Sequence, residues 1–372
     1  MKNLNNLFPK TWKNRSGSSF FSSRNFRNLC MFGIGVTLFT ACTSDTENVQ
    51  TPEQDGIKTD SFVLDQSNDF QIIDAKSADL SGNLDKATEA GGSDRGRFNI
   101  TFRYLTSTTE RQREVFDLAR ERWERIIIKD LYSISGEVIP SAFATLGVPP
   151  IITAEEGVID DLVIEVVIDE IDGPGNILGQ AGPRFVRIPE LTTISGVMFF
   201  DVQDLDLLEE YDLFEEVIIH EMGHVLGIGT LWNINIPALG VARTLREGTG
   251  VDPYYVGEQA NVFWNAEGGL YELPIEDMFG GGTRNSHWRE SALDNELMTG
   301  FLNLGENPLS RITAGSVQDL GYGTARVGES YDLPRGTEGV EVGGTDSEKT
   351  EGLNIGEMEE LLQPIGGVRV KK

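Results

Sequence analysis

Cysteine and histidine are both scarce in this chain of 372 residues, which has two cysteines, Cys30 and Cys42, and three histidines, His220, His224 and His287. So few cysteines exclude a disulfide-built scaffold and any cysteine-based zinc cluster. Basic residues are short as well, with 31 Lys and Arg against 59 Asp and Glu and a formal net charge of −28. That deficit argues against nucleic acid as a partner, because phosphate contacts need a basic face. Internal repeats are absent. The length allows one large domain with its own buried core, flanked by extensions. Nothing in the sequence sets the oligomeric state.

The first 42 residues differ from the rest. They hold six bases, Lys2 to Arg27, and no acid occurs before Asp45. The apolar run Leu29–Ala41 (LCMFGIGVTLFTA) follows and ends at Cys42. A basic region, a short apolar region and small residues before a break describe an export signal, too short to span a bilayer stably. Leu38-Phe39-Thr40-Ala41-Cys42 resembles a bacterial lipobox, with Phe39 where Leu is usual. Residues 1–42 are therefore expected to be a lipoprotein signal peptide and Cys42 the lipidation site. The protein would be exported and lipid-anchored at the outer membrane or cell surface; secretion after cleavage near Cys42 is the alternative.

Residues 43–94 carry 12 acids and three lysines with few aromatics, a composition that cannot bury enough apolar surface to fold alone. They suggest a tether, or a pro-segment covering an active site, over 43–96. Globular patterning starts at residue 97. Phe98, Ile100, Phe102 and Tyr104 alternate with polar residues as in a strand. Thr109 suits the N-cap of a helix over 110–130, with Val115, Phe116, Leu118, Ala119, Trp123 and Ile126 on its apolar face. Leu162–Ile168 and Val197–Phe200 pattern as buried strands, and the Gly- and Pro-rich 172–183 as a loop. A second long helix is expected over 206–227, stopped by Gly227. The order of elements implies an α+β layer. Residues 228–325 are less regular. The Gly- and Glu-rich tail, 326–372, patterns as disordered apart from a short helix at 356–363.

The second helix carries His220-Glu221-Met222-Gly223-His224. Residues four apart lie one turn apart on the same face, so the two imidazoles can share a metal ion with Glu221 beside them. A catalytic zinc takes three protein ligands and leaves a fourth position open. Only His287 remains as a third imidazole. Glu247 would need a second regular helix, and 240–252 is too glycine-rich for one. Ordinary core histidines are the competing explanation, but unpartnered imidazoles on an apolar helix would be costly. The acid-rich loop 201–206 raises calcium binding, with plain solvated charge as the stronger alternative.

HEMGHVLGIGTLW (220–232) resembles the metzincin pattern HExxHxxG, but Thr230 stands where the short form has its third histidine. Together with Ser286-His287-Trp288-Arg289-Glu290, Glu296-Leu297-Met298-Thr299 and residues 310–322 (SRITAGSVQDLGY), it resembles the leishmanolysin family of zinc peptidases. That family separates the glycine from the third histidine by a long insertion. The resemblance covers roughly 97–325. It implies a metzincin-like fold: a twisted sheet with the active-site helix in an upper subdomain (97–227), and an irregular lower subdomain (228–325). It implies that His220, His224 and His287 bind one Zn2+, that Glu221 is the general base, and that Gly227 turns the chain beneath the metal. Met298 would be an apolar floor, not a ligand. The implied activity is zinc-dependent endopeptidase action, with a zinc-activated water attacking the peptide bond. The substrate would be a protein or peptide extended along a sheet edge at 177–188. The alternative is a surface lipoprotein that binds zinc without catalysis and acts as an adhesin or binding module.

Overall fold

The computed structural model describes residues 62–64, 69–77, 96–135, 139–151, 158–248, 252–333 and 352–371. Cys42 and the export signal lie outside them. Among the described residues no helix is long and apolar enough to cross a membrane.

Seven strands of the main sheet come from residues 71–201: β1 (Gln71–Ser77), β2 (Ile100–Tyr104), β3 (Ile134–Ser135), β4 (Val158–Ile159), β5 (Leu162–Asp169), β6 (Gly179–Ile188) and β7 (Thr193–Asp201). Further on come the hairpin β8 (Asn233–Ile236) and β9 (Val241–Thr244), the small sheet of β10 (Arg246–Glu247), β11 (Tyr254–Tyr255) and β12 (Leu273–Pro274), and β13 (Phe301–Leu302). The last strands are β14 (Leu353–Asn354), which pairs with β13, and β15 (Glu359–Leu361) and β16 (Gly366–Lys371), which join the main sheet. The path of that sheet is β2-β5-β7-β6-β16-β1-β3-β4, with β15 also on β6. β2, β5 and β7 run parallel, and β6 lies antiparallel to β7. β5 and β7 are buried along almost their whole length and on both faces, as a covered parallel layer requires.

Helix α1 (Glu110–Ile126) starts at Thr109, which forms a capping box with Gln112. It buries Val115, Phe116, Ala119, Trp123 and Ile126, while Leu118, assigned to the same face by spacing, stays exposed. The expected single helix over 206–227 is instead two, α2 (Val202–Glu210) and α3 (Phe214–Leu226). The break falls at Asp212, whose φ of 58° is left-handed, a conformation Asp tolerates better than most residues. Leu213 can then turn inward beside Phe214 and restart the apolar stripe of α3. α3 packs across β6 and β7, with Thr193 Oγ1 donating to Val225 O at 2.8 Å and Trp123 Nε1 of α1 donating to Ile219 O at 3.0 Å.

The remaining helices are α4 (Glu258–Ala266), α5 (Gly280–Thr283), α6 (Glu290–Leu293) and α7 (Arg311–Asp319). They give 228–325 more regular structure than the glycine pattern suggested.

Three expectations need correction. The segment 43–96 contributes β1 to the main sheet, so it is not only a tether. The tail holds β14, β15 and β16, with no helix at 356–363, because Glu359–Leu361 pairs with Gly179–Ala181 of β6, while Val368 and Val370 pack into the sheet. Two of the three acids of 201–206, Asp201 and Asp204, serve the backbone. Asp201 caps α2 and accepts from the amides of Gln203, Ile171, Asp172 and Gly173, and Asp204 accepts from Gly175. Removing that brace by Asp201→Ala should cost about 2–3 kcal/mol of stability in a denaturant melt. Calcium should leave the wild-type melt unchanged; a calcium-dependent rise would reinstate the loop as a cation site.

Candidate metal centre

His220 and His224 lie on the last two turns of α3, on the face turned toward the lower part of the chain. The helix ends at Gly227, φ 120°, whose amide bonds back to Gly223 O and His224 O. A side chain there would be strained and would press on Leu231. This turn swings Ile228 O to within 2.9 Å of His224 Nδ1. Thr230 caps the same turn, its Oγ1 donating to His224 O at 2.7 Å.

His287 arrives from the loop between α5 and α6. Its carbonyl accepts from Glu276 N at 2.9 Å. Its neighbour Trp288 stacks on Trp232, 4.9 Å between ring centroids, and donates from Nε1 to Thr313 Oγ1. All three imidazoles are fully buried. Their Nε2 atoms form a near-equilateral triangle: 2.9 Å between His220 and His224, and 3.1 Å from each to His287.

Each Nδ1 faces a backbone carbonyl: Leu297 O at 2.7 Å for His220, Ile228 O at 2.9 Å for His224 and Thr283 O at 3.1 Å for His287. A carbonyl can only accept, so each Nδ1 carries the proton and each Nε2 presents a bare lone pair. Three lone pairs converging in a dry pocket repel one another unless a cation lies between them. Tetrahedral zinc, with Zn–N bonds of ~2.0–2.1 Å, holds its nitrogens ~3.3 Å apart, close to the observed triangle. The donor set therefore fits zinc. Burial lowers the His224 pKa to about 3, so that ring stays neutral at working pH.

The segment after His287 supports the triangle from below. Leu297 O fixes His220. Met298 is fully buried against α3, and a Cβ on Gly223 would stand only 2.7 Å from its Sδ. Glu296 holds this turn. Its Oε2 accepts from Met298 N at 2.7 Å, and its Oε1 accepts from Ser310 N, Ser310 Oγ and Thr313 Oγ1 at 3.2, 2.6 and 2.6 Å. Glu296→Ala would orphan those donors in a dry site, so it should lower stability by about 3–4 kcal/mol and loosen metal binding. An unchanged melt would show that the turn does not depend on it.

Glu221 is fully buried between the two helix histidines, and neither of its carboxylate oxygens accepts a hydrogen bond. Burial, and then the charge of Glu359, push its carboxyl well above the usual range.

Glu359, on β15, is the residue that sequence reasoning missed. Its Oε1 is 2.9 Å from His287 Nε2, and its Oε2 is 3.5 Å from the Nε2 of both His220 and His224. The four side chains form one buried group able to hold a metal, with donor atoms all within 4.8 Å of one another. Nothing in the spacing marks Glu359 among the acids of the tail. The apolar alternation of the strand that follows, 365–370, was the available signal. Glu247 lies in β10 and is not part of the metal-holding group.

No curated protein is similar enough to the chain to count as a match. A family model, described as leishmanolysin, matches residues 135–338, more than half of the sequence, and takes in the helix histidines, His287 and the Met298 turn. That family comprises metallopeptidases acting on proteins or peptides, and the α+β layering of sheet and helix is consistent with its metzincin-like fold. By this match and by its fold, the chain belongs to the leishmanolysin family.

Proposed function

We propose that the protein is a zinc-dependent endopeptidase in which His220, His224 and His287 hold the metal and Glu221 is the general base. The observation that carries the reading is the triangle of Nε2 atoms, each on a ring whose Nδ1 faces a carbonyl, beside a buried carboxylate. Bound there, zinc supplies Lewis acidity, polarising a carbonyl and bringing the pKa of water down to about 7.

The chain's own residues do the rest. A Glu221 carboxylate oxygen takes the proton of water as its oxygen attacks the scissile carbonyl carbon, and delivers it to the departing amine nitrogen. The carbonyls of Leu297, Ile228 and Thr283 lock the three rings in the ligating tautomer. Met298 is an apolar floor that keeps water from beneath α3, and Gly227 sets the turn that orients His224. Thr299 and Gly300 follow Met298, so the chain has no tyrosine there to assist. β6 runs beside α3 but is paired on both sides, so an extended peptide would reach it only where β15 is displaced. Lipid attachment at Cys42, and so a membrane-surface location, belongs to the same proposal on the strength of LFTAC alone; finding an unmodified Cys42 in the purified exported protein would refute it.

The test is casein hydrolysis by the zinc-loaded full chain. A strong chelator should abolish it, and added zinc should restore it. Hydrolysis that proceeds equally well with and without chelator would contradict the reading.

A further inference from the structure

We infer that residues 352–371 are a built-in inhibitor of the metal centre, with Glu359 as the fourth metal ligand of the resting protein. The inference rests on the metallopeptidase reading above and adds to it how that site is regulated.

The carboxylate of Glu359 lies where the three imidazoles point, and its side chain has no exposed surface. With every Nδ1 bound to a carbonyl, the Nε2 atoms have no proton to offer it. The 2.9 Å contact to His287 is then between two acceptors, and no imidazole donates to either Glu359 oxygen. A buried carboxylate in such a place is unfavourable. A divalent cation shared by four donors removes the conflict and fills the tetrahedral set, leaving no position for water.

The backbone on either side closes the cleft as well. β15 pairs with β6 in register Glu359↔Gly179, Glu360↔Gln180 and Leu361↔Ala181. Met358 O accepts from Leu178 N at 2.6 Å, and Leu362 N donates to Ala181 O at 2.8 Å. β16 continues along the same edge, from Phe185 to Ile188. The groups with which a substrate would pair are therefore taken by the tail, and the expected free edge at 177–188 is an inner strand of the sheet. The fit is close. A Cβ on Gly282 of α5 would overlap Gly356 O, and its three nearest atoms all belong to Gly356 and Glu359.

That contact supplies a test in the full chain. Cobalt-substituted wild type should ignore acetohydroxamate, a small ligand that needs an open coordination position, because Glu359 fills it. Glu359→Gln removes the charge, and Gly282→Val lifts the tail without replacing a metal ligand. Both variants should show a change in the cobalt visible spectrum on titration with acetohydroxamate. Gly282→Val should also cleave casein at least ~10-fold faster than wild type, as expected when a mostly closed population opens. Wild type that takes up acetohydroxamate as readily as both variants would overturn the inference and leave the peptidase reading untouched. Spectral opening in the variants with no hydrolysis in any of them would uphold the capped site and end the peptidase reading. Failure of every form to bind cobalt would end both.

Discussion

Glu221→Gln should reduce kcat/KM for peptide hydrolysis by about 10²- to 10⁴-fold while leaving the metal content unchanged. Glutamine keeps the shape of the side chain but cannot take a proton. Glu221 meets the carboxyl of Glu359 and accepts from no other donor, so its replacement alters that contact and orphans no donor. The three imidazoles keep their own partners, Leu297, Ile228 and Thr283. Loss of rate without loss of zinc therefore separates a proton-transfer role from a structural one. The variant should be compared in the Gly282→Val background as well, where the tail no longer limits the rate. If both forms retain wild-type hydrolysis, Glu221 is not the base and the proposed mechanism falls.

His287→Ala should abolish activity and remove the stabilisation that zinc gives the fold. A ligand present at 1,000 times its Kd stabilises the native state by about 4 kcal/mol, a shift of roughly 10 °C in Tm for a domain of this size. Wild type should show a zinc-dependent rise of that order, and the variant little or none. The effect should be larger than truncation of one surface imidazole, because His287 alone ties the loop between α5 and α6 to α3 through the metal. Gly229, just past the end of α3, is already packed against Ser286, so part of that connection survives without zinc. An unaltered zinc response in His287→Ala would mean that another side chain completes the centre.

The site was more legible than the fold around it. Residues four apart on an apolar helix must share a face, and a chain with three histidines leaves one choice for the third, so His220, His224 and His287 followed from counting and helical geometry. The break at Asp212 was hidden because the apolar positions on either side still match a helical period, and only the left-handed φ of one residue separates α2 from α3. The tail misled for a different reason. Its glycines and glutamates have the composition of a solvated segment, yet Gly356 is there because Thr283 and Gly282 approach its backbone closely, and Glu359 because the site takes a carboxylate. Composition averages over such positions, whereas the fold uses them one at a time. β15 and β16 also pair with partners more than 170 residues away, Glu360 with Gln180 among them, and no local pattern reports a contact at that separation.

X-ray absorption of the zinc-loaded full chain tests the central claim most directly, because it counts imidazoles around the metal whether or not the protein is active. Three histidine nitrogens at about 2.0–2.1 Å around one zinc per chain are expected. A shell with two imidazoles or fewer would contradict the account.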